Sequence, residues 1–154
     1  MRKLTVEFIT AIALTLAAII ASAAGARASD VMVINAFARA SATPAARAGA
    51  AYVTVVNHGD TPDRLIAIVT PAASMAEVHG TVMNGNVIKM ETLDAVNVPA
   101  QASVEMKPGG LHVMLMGLKK PLVEGGAIDM TLTFEKAGSI TIKVPVREAA
   151  ASGP

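Results

Sequence analysis

Beyond residue 28 the chain is a series of short stretches rich in β-branched residues, each cut off by Gly, Pro, Asn or Asp before a helical period can establish itself. Val31–Arg39, Ala51–Asn57, Asp63–Thr70, Ala76–Val82, Val87–Glu91, Val96–Val98, Ala102–Lys107, Leu111–Met116, Ala127–Glu135 and Ser139–Val144 read as strands. The Ala-rich tract Ala40–Ala48, which holds Pro44, reads as a loop. Strands of this length and spacing predict an all-β, antiparallel sandwich or barrel, with any helix confined to a short turn.

The first 28 residues are expected to be a cleaved secretory signal peptide. Arg2 and Lys3 form a basic start, Phe8 to Ala21 is apolar but for Thr10 and Thr15, and Ala26-Arg27-Ala28 fits a small-x-small cleavage site. The apolar run is shorter than the ~20 residues that span a bilayer. Removing the leader takes Arg2, Lys3 and Arg27 from thirteen basic residues and Glu7 from twelve acidic ones, so the formal charge passes from +1 to −1. Nothing in that balance attracts nucleic acid or an anionic membrane surface. About 126 residues remain, enough for one core-bearing domain over 29–146, followed by an Ala-rich tail at 147–154 read as flexible. The absence of cysteine rules out disulfides and thiolate chemistry, so an exported domain of this kind must stand on packing alone. Its core must be built mainly from Val, Ile, Leu, Ala and Met, because Phe37, Tyr52 and Phe134 are the only aromatics past the leader.

The chemistry-bearing stretch runs from His79 to Met116. His112 and Met114 stand two apart on a strand and therefore share a face, opposite that of Leu111, Val113 and Leu115. Asn84-Gly85 is a strong hairpin signal, since both residues tolerate positive φ. A two-residue loop there places Met90 directly across from His79, where side chains on neighbouring strands can touch one ion. Two imidazoles and two thioethers form a soft, uncharged donor set, which suits copper(I). Zinc prefers thiolate, imidazole or carboxylate, and calcium and magnesium prefer oxygen. A blue-copper electron-transfer centre needs a cysteine thiolate and is excluded.

The spacing His79-x10-Met90-x21-His112-x-Met114 resembles the HX10MX21HXM signature of the periplasmic copper(I) chaperones called PCu(A)C, and Leu111–Leu122 (LHVMLMGLKKPL) is similar to that family's most recognisable block. The resemblance implies a cupredoxin-like, Greek-key antiparallel β-sandwich that binds one Cu(I) per chain through His79, Met90, His112 and Met114. It also implies a periplasmic monomer that delivers the ion to the copper centre of cytochrome c oxidase, in subunit II, alone or with a Sco-type thiol protein. Many members carry a His- and Met-rich C-terminal extension, whereas this tail reads REAAASGP, so a second site there is not expected.

Other readings stay open at this point. The donors could serve a copper buffer or tolerance protein, or could be packing residues of a metal-free interaction module. An enzyme is the weakest reading, since no Gly-x-Ser-x-Gly segment, phosphate-cradling loop or carboxylate pair beside a His occurs. Among the remaining candidates, Met116 lies on the donor face and reads as a hydrophobic rim, and Met83 near the turn reads as a non-ligand. Met32, Met106 and Met130 fit the core, and His58 and Lys119-Lys120 fit solvated turns.

Overall fold

The computed structural model describes residues 30–84 and 87–153, with only the backbone considered for 82–84, 87 and 88. The proposed leader and its cleavage site lie outside the described residues. The order of elements is β1 (Val31–Arg39), β2 (Ala48–Asn57), β3 (Asp63–Val69), β4 (Ala73–Asn84), β5 (Val87–Leu93), β6 (Val96–Val98), β7 (Ala102–Glu105), β8 (His112–Leu118), β9 (Ala127–Phe134) and β10 (Gly138–Arg147). No helix occurs among the described residues, and none there could cross a membrane.

Neighbouring strands run in the order β5-β4-β8-β2-β1-β10-β9-β3-β6. Ile68 of β3 also pairs with Ala76 of β4, so the sheet that leaves β4 through β8 returns to it through β3 and closes into a barrel-like sandwich. β5, β6 and β7 are added at β4, β3 and β2. The all-β, cupredoxin-like expectation holds, with one departure from a wholly antiparallel design. β1 pairs with β10 in parallel, Ala38 beside Val146 and Arg39 beside Arg147. A parallel pair needs a long crossover, and here almost the entire domain separates the two strands.

Inward-facing residues of the closed sheet meet in one core, including Val53, Val55, Leu65, Val113, Leu132 and Phe134. Met106 and Met130 join it as expected, but Met32 is 51 % exposed. The pleat explains the difference: Val31 and Val33 take the inward positions of β1, leaving Met32 between them facing out. β2 begins at Ala48, inside the tract read as a loop, because Ala48, Gly49 and Ala50 pair with Met116, Leu115 and Met114. Intrinsic β-propensity is poor there, and the tertiary pairing overrides it. In β1 a bulge lies between Ile34 and Phe37, with Asn35 at φ 51, a left-handed conformation that Asn tolerates. The shifted register sets Phe37 opposite Tyr52.

Two buried polar side chains tie the end of the barrel around the β2–β3 turn. The Asn57 amide donates to the carbonyls of Thr61 (2.9 Å) and Val98 (3.2 Å) and accepts from the Gly59 amide at 2.9 Å. Asp63 accepts the backbone N–H groups of Arg64 (2.7 Å), Lys136 (2.9 Å) and Ala137 (2.9 Å). Burial by itself raises the Asp63 pKa, but the three amides and the Lys136 ammonium outweigh it and hold the carboxyl below its usual range. The residues after Arg147, read as a flexible tail, turn at Glu148 and bury Ala151 against Phe37 and Tyr52.

Asp63→Ala strands three amides and is expected to lower unfolding stability by about 2 kcal/mol in urea titration. Because the folded pKa of Asp63 lies below the unfolded one, its charge-dependent contribution is complete above roughly pH 4 and fades as pH falls through the folded value. The stability gap between wild type and Asp63→Asn should therefore be full at neutral pH and shrink in acid.

Candidate metal centre

The centre is built on the pairing of β4 with β8. Both strands alternate, sending Ala76, Val78, Val113 and Leu115 to the core side and the intervening residues outward. The register produces three outward cross-strand pairs in a row: His79 with His112, Glu77 with Met114, and Met75 with Met116. The two imidazole centroids are 5.8 Å apart, with their planes inclined at 54°. Met114 stands on the same face one rung away, flanked on the β2 side by the small side chain of Ala50. The structure thus brings His79, His112 and Met114 to one patch.

Met90 reaches this patch from β5 in a different register from the expected one. Asn84 pairs with Val87, so Asn84 is the last residue of its strand and the two residues between, Gly85 and Asn86, lie outside the described set. Met90 consequently pairs with Thr81, and His79 pairs with Thr92. Moving the turn by one residue shifts the strands by two relative to each other, which preserves faces, whereas a shift of one would have reversed them. Met90 is therefore a diagonal rather than a direct neighbour of His79, at a separation of about 7–8 Å that a long thioether side chain can bridge. Met90 is 55 % exposed, free to swing toward the imidazoles.

His112 is fixed far more firmly. It is 8 % exposed, and its Nδ1 lies 3.0 Å from the Gly110 carbonyl oxygen. A carbonyl can only accept, so neutral His112 carries its proton on Nδ1 and keeps the Nε2 lone pair for a ligand. Tyr52 backs the ring at 6.5 Å, itself stacked on Phe37 at 4.8 Å, with the Arg39 guanidinium 5.6 Å from the Tyr52 centroid. Arg39 Nε donates to the Ala151 carbonyl at 2.8 Å, binding the C-terminal turn to this wall. His79 is held more loosely, with Nε2 3.4 Å from Glu77 Oε2 and 3.3 Å from Thr92 Oγ1. At such lengths both contacts are weak and can be surrendered to an ion.

Among the described residues no three His, Cys, Asp or Glu side chains converge, so the imidazole pair needs the thioethers to complete a coordination sphere. That donor set fits a soft ion and disfavours zinc or calcium. Two features of the patch are set by strand pairing and carry no local signal in the sequence. Glu77 alternates visibly with His79, yet its place opposite Met114 depends on the β4–β8 register. The Tyr52 wall depends on β2 pairing with β8, for which the sequence carries no local signal. His58, Lys119 and Lys120 are exposed, as read from sequence. The Met83 side chain lies outside the described set.

The unequal burial predicts unequal costs in the metal-free protein. His112→Ala should destabilise it by about 1–2 kcal/mol, through the lost Gly110 hydrogen bond and the gap beneath Tyr52. Met90→Ala should stay within about 0.5 kcal/mol of wild type in the same urea titration.

Residues 31–146 match the family model described as "Putative lipoprotein LpqE-like". A "Putative lipoprotein Lxx21020" from Leifsonia xyli subsp. xyli is 34 % identical over 125 residues, covering 80 % of this chain and 74 % of that protein. Among solved structures, the copper-bound PCuAC domain from PmoF2 superposes with a TM-score of 0.68 at 31 % identity, covering 79 % of this chain and 95 % of that one. The solution structure of CuI-DR1885 from Deinococcus radiodurans gives 0.61 at 33 % identity, covering 80 % and 83 %. The chain belongs to the PCu(A)C-related, LpqE-like family.

Proposed function

We propose that this protein is an exported copper(I) chaperone that carries one Cu(I) between His79, Met90, His112 and Met114. The observation that carries this reading is the His79–His112 rung with Met114 one step along the same face and Met90 within diagonal reach. Its likeness to a copper-bound PCuAC domain and to CuI-DR1885 supports the same ion. Thioethers and imidazoles stabilise a d¹⁰ monovalent ion and give less to copper(II), which favours nitrogen and oxygen donors. Neutral ligands leave the ion's charge uncompensated, and the Glu77 carboxylate beside His79 offsets part of it.

The division between a buried imidazole and an exposed thioether suits a carrier. His112 Nε2 anchors the ion against the Tyr52 wall, while Met90 is the ligand that an acceptor can replace first. No bond need be made or broken other than those to copper, so no catalytic turnover is assigned. The finer reading is export through the leader at 1–28 to the periplasm, and delivery as a monomer to cytochrome c oxidase subunit II, directly or through a Sco-type thiol protein. Thiolates bind Cu(I) more strongly than thioethers, which gives transfer to a cysteine-bearing acceptor its direction. Buffering of toxic copper is the alternative use of the same site.

Anaerobic competition against a Cu(I) chelator should show one tightly bound equivalent. The His112→Ala, Met114→Ala double variant, folded by circular dichroism, should lose more than about 100-fold in affinity, or about 2.7 kcal/mol. An unchanged affinity in that folded variant would remove the site. Delivery is tested with the copper-free soluble domain of oxidase subunit II, which should take copper from the loaded protein; retention by the chaperone favours buffering.

A further inference from the structure

The rung beyond the four donors is made of two more thioethers. Met75 of β4 and Met116 of β8 are directly paired, so their Cβ atoms stand about 4.5–5.5 Å apart on the same outward face as the imidazoles. Successive outward rungs are about 6.5–7 Å apart, which places Met114 between the imidazole pair and this methionine pair. We propose that Met75 and Met116, together with Met114, form a second and weaker subsite for a soft monovalent cation. It rests on the copper(I) reading of the four-donor centre and extends it: the subsite is where the ion pauses on its way in or out.

Four features carry this assignment. Met75 is 51 % exposed, and the next outward positions on its strand are Glu77, His79 and Thr81, so packing does not account for a long apolar side chain there. Ala48 and Ala50 of β2 lie beside Met116 and Met114, leaving lateral space in which the unbranched side chains can turn toward one another. Met114 belongs to both donor sets, so an ion can exchange the His112 and His79 nitrogens for the Met116 and Met75 sulfurs without leaving the protein. Glu77 sits on the rung between, its side chain 35 % exposed, where its carboxylate draws a cation to the face without competing as a soft donor. Three thioethers without imidazole bind a soft ion less firmly than the mixed set, which is the order required of a staging point.

The test uses silver(I) as a redox-inert probe, titrated into the purified protein labelled with carbon-13 at the methionine methyl groups. The first equivalent should shift the Met90 and Met114 methyls. The second should shift those of Met75 and Met116, with an affinity at least about tenfold weaker. Met75→Leu and Met116→Leu should each abolish the second event, while first-equivalent affinity changes less than about twofold and the urea midpoint is retained. If Met114 responds to the first equivalent and the Met75 and Met116 methyls stay in place at the second, the subsite is overturned and the carrier reading stands. If Met114 fails to respond to the first equivalent, both fall together.

Discussion

The site depends on the register between β4 and β8. Val78 faces Val113 and Ala76 faces Leu115 on the inward side, and these pairs belong to the core. A slip of one residue would turn one of the two strands over, either exposing Val113 and Leu115 and driving His112 inward, or exposing Ala76 and Val78 and driving His79 inward. Exposing a buried Val or Leu costs about 1.5–3 kcal/mol. Forcing an unpaired imidazole into the core costs more, so a slip forfeits a large share of a typical domain's stability of about 5–15 kcal/mol. The apolar face of these two strands therefore positions the polar one, with the imidazole centroids 5.8 Å apart.

Around that fixed pair the protein graduates its grip. Tyr52, Phe37, Arg39 and the Ala151 turn form a wall that buries His112, and the Gly110 carbonyl sets its tautomer. Moving outward, Met114 is half-buried beside Ala50, and Met90 lies largely in solvent on the added strand β5. One side is rigid and the other can yield, which lets an acceptor displace ligands in sequence while the ion remains coordinated throughout. A cage of four buried donors would bind with equal softness but release slowly.

Much of this was legible in the residues. The period-two alternation of Leu111 to Met116 separated donors from core, and β-branched stretches cut by Gly, Pro and Asn located the strands. The spacing of His79, Met90, His112 and Met114 singled out residues that the fold places on one face of three adjacent strands. What stayed hidden was set by long-range pairing. Ala48 to Ala50 looks unlike a strand until Leu115 and its neighbours lie alongside, and nothing local announces that β1 joins β10 in parallel. The Asn84-Gly85 signal located the hairpin but misplaced its turn by one residue, an error harmless to the face of Met90 though it changed its partner. The Ala-rich tail reads as flexible, yet Ala151 packs beside Phe37 and Tyr52.

X-ray absorption at the copper edge of the Cu(I)-loaded protein counts the atoms that hold the ion. A four-donor copper(I) centre should give a mixed sphere of two nitrogen and two sulfur neighbours, losing sulfur alone when Met90 or Met114 is replaced by alanine. A sphere of nitrogen and oxygen without sulfur would contradict it, because then the thioethers on that face would be packing residues and the ion would sit elsewhere.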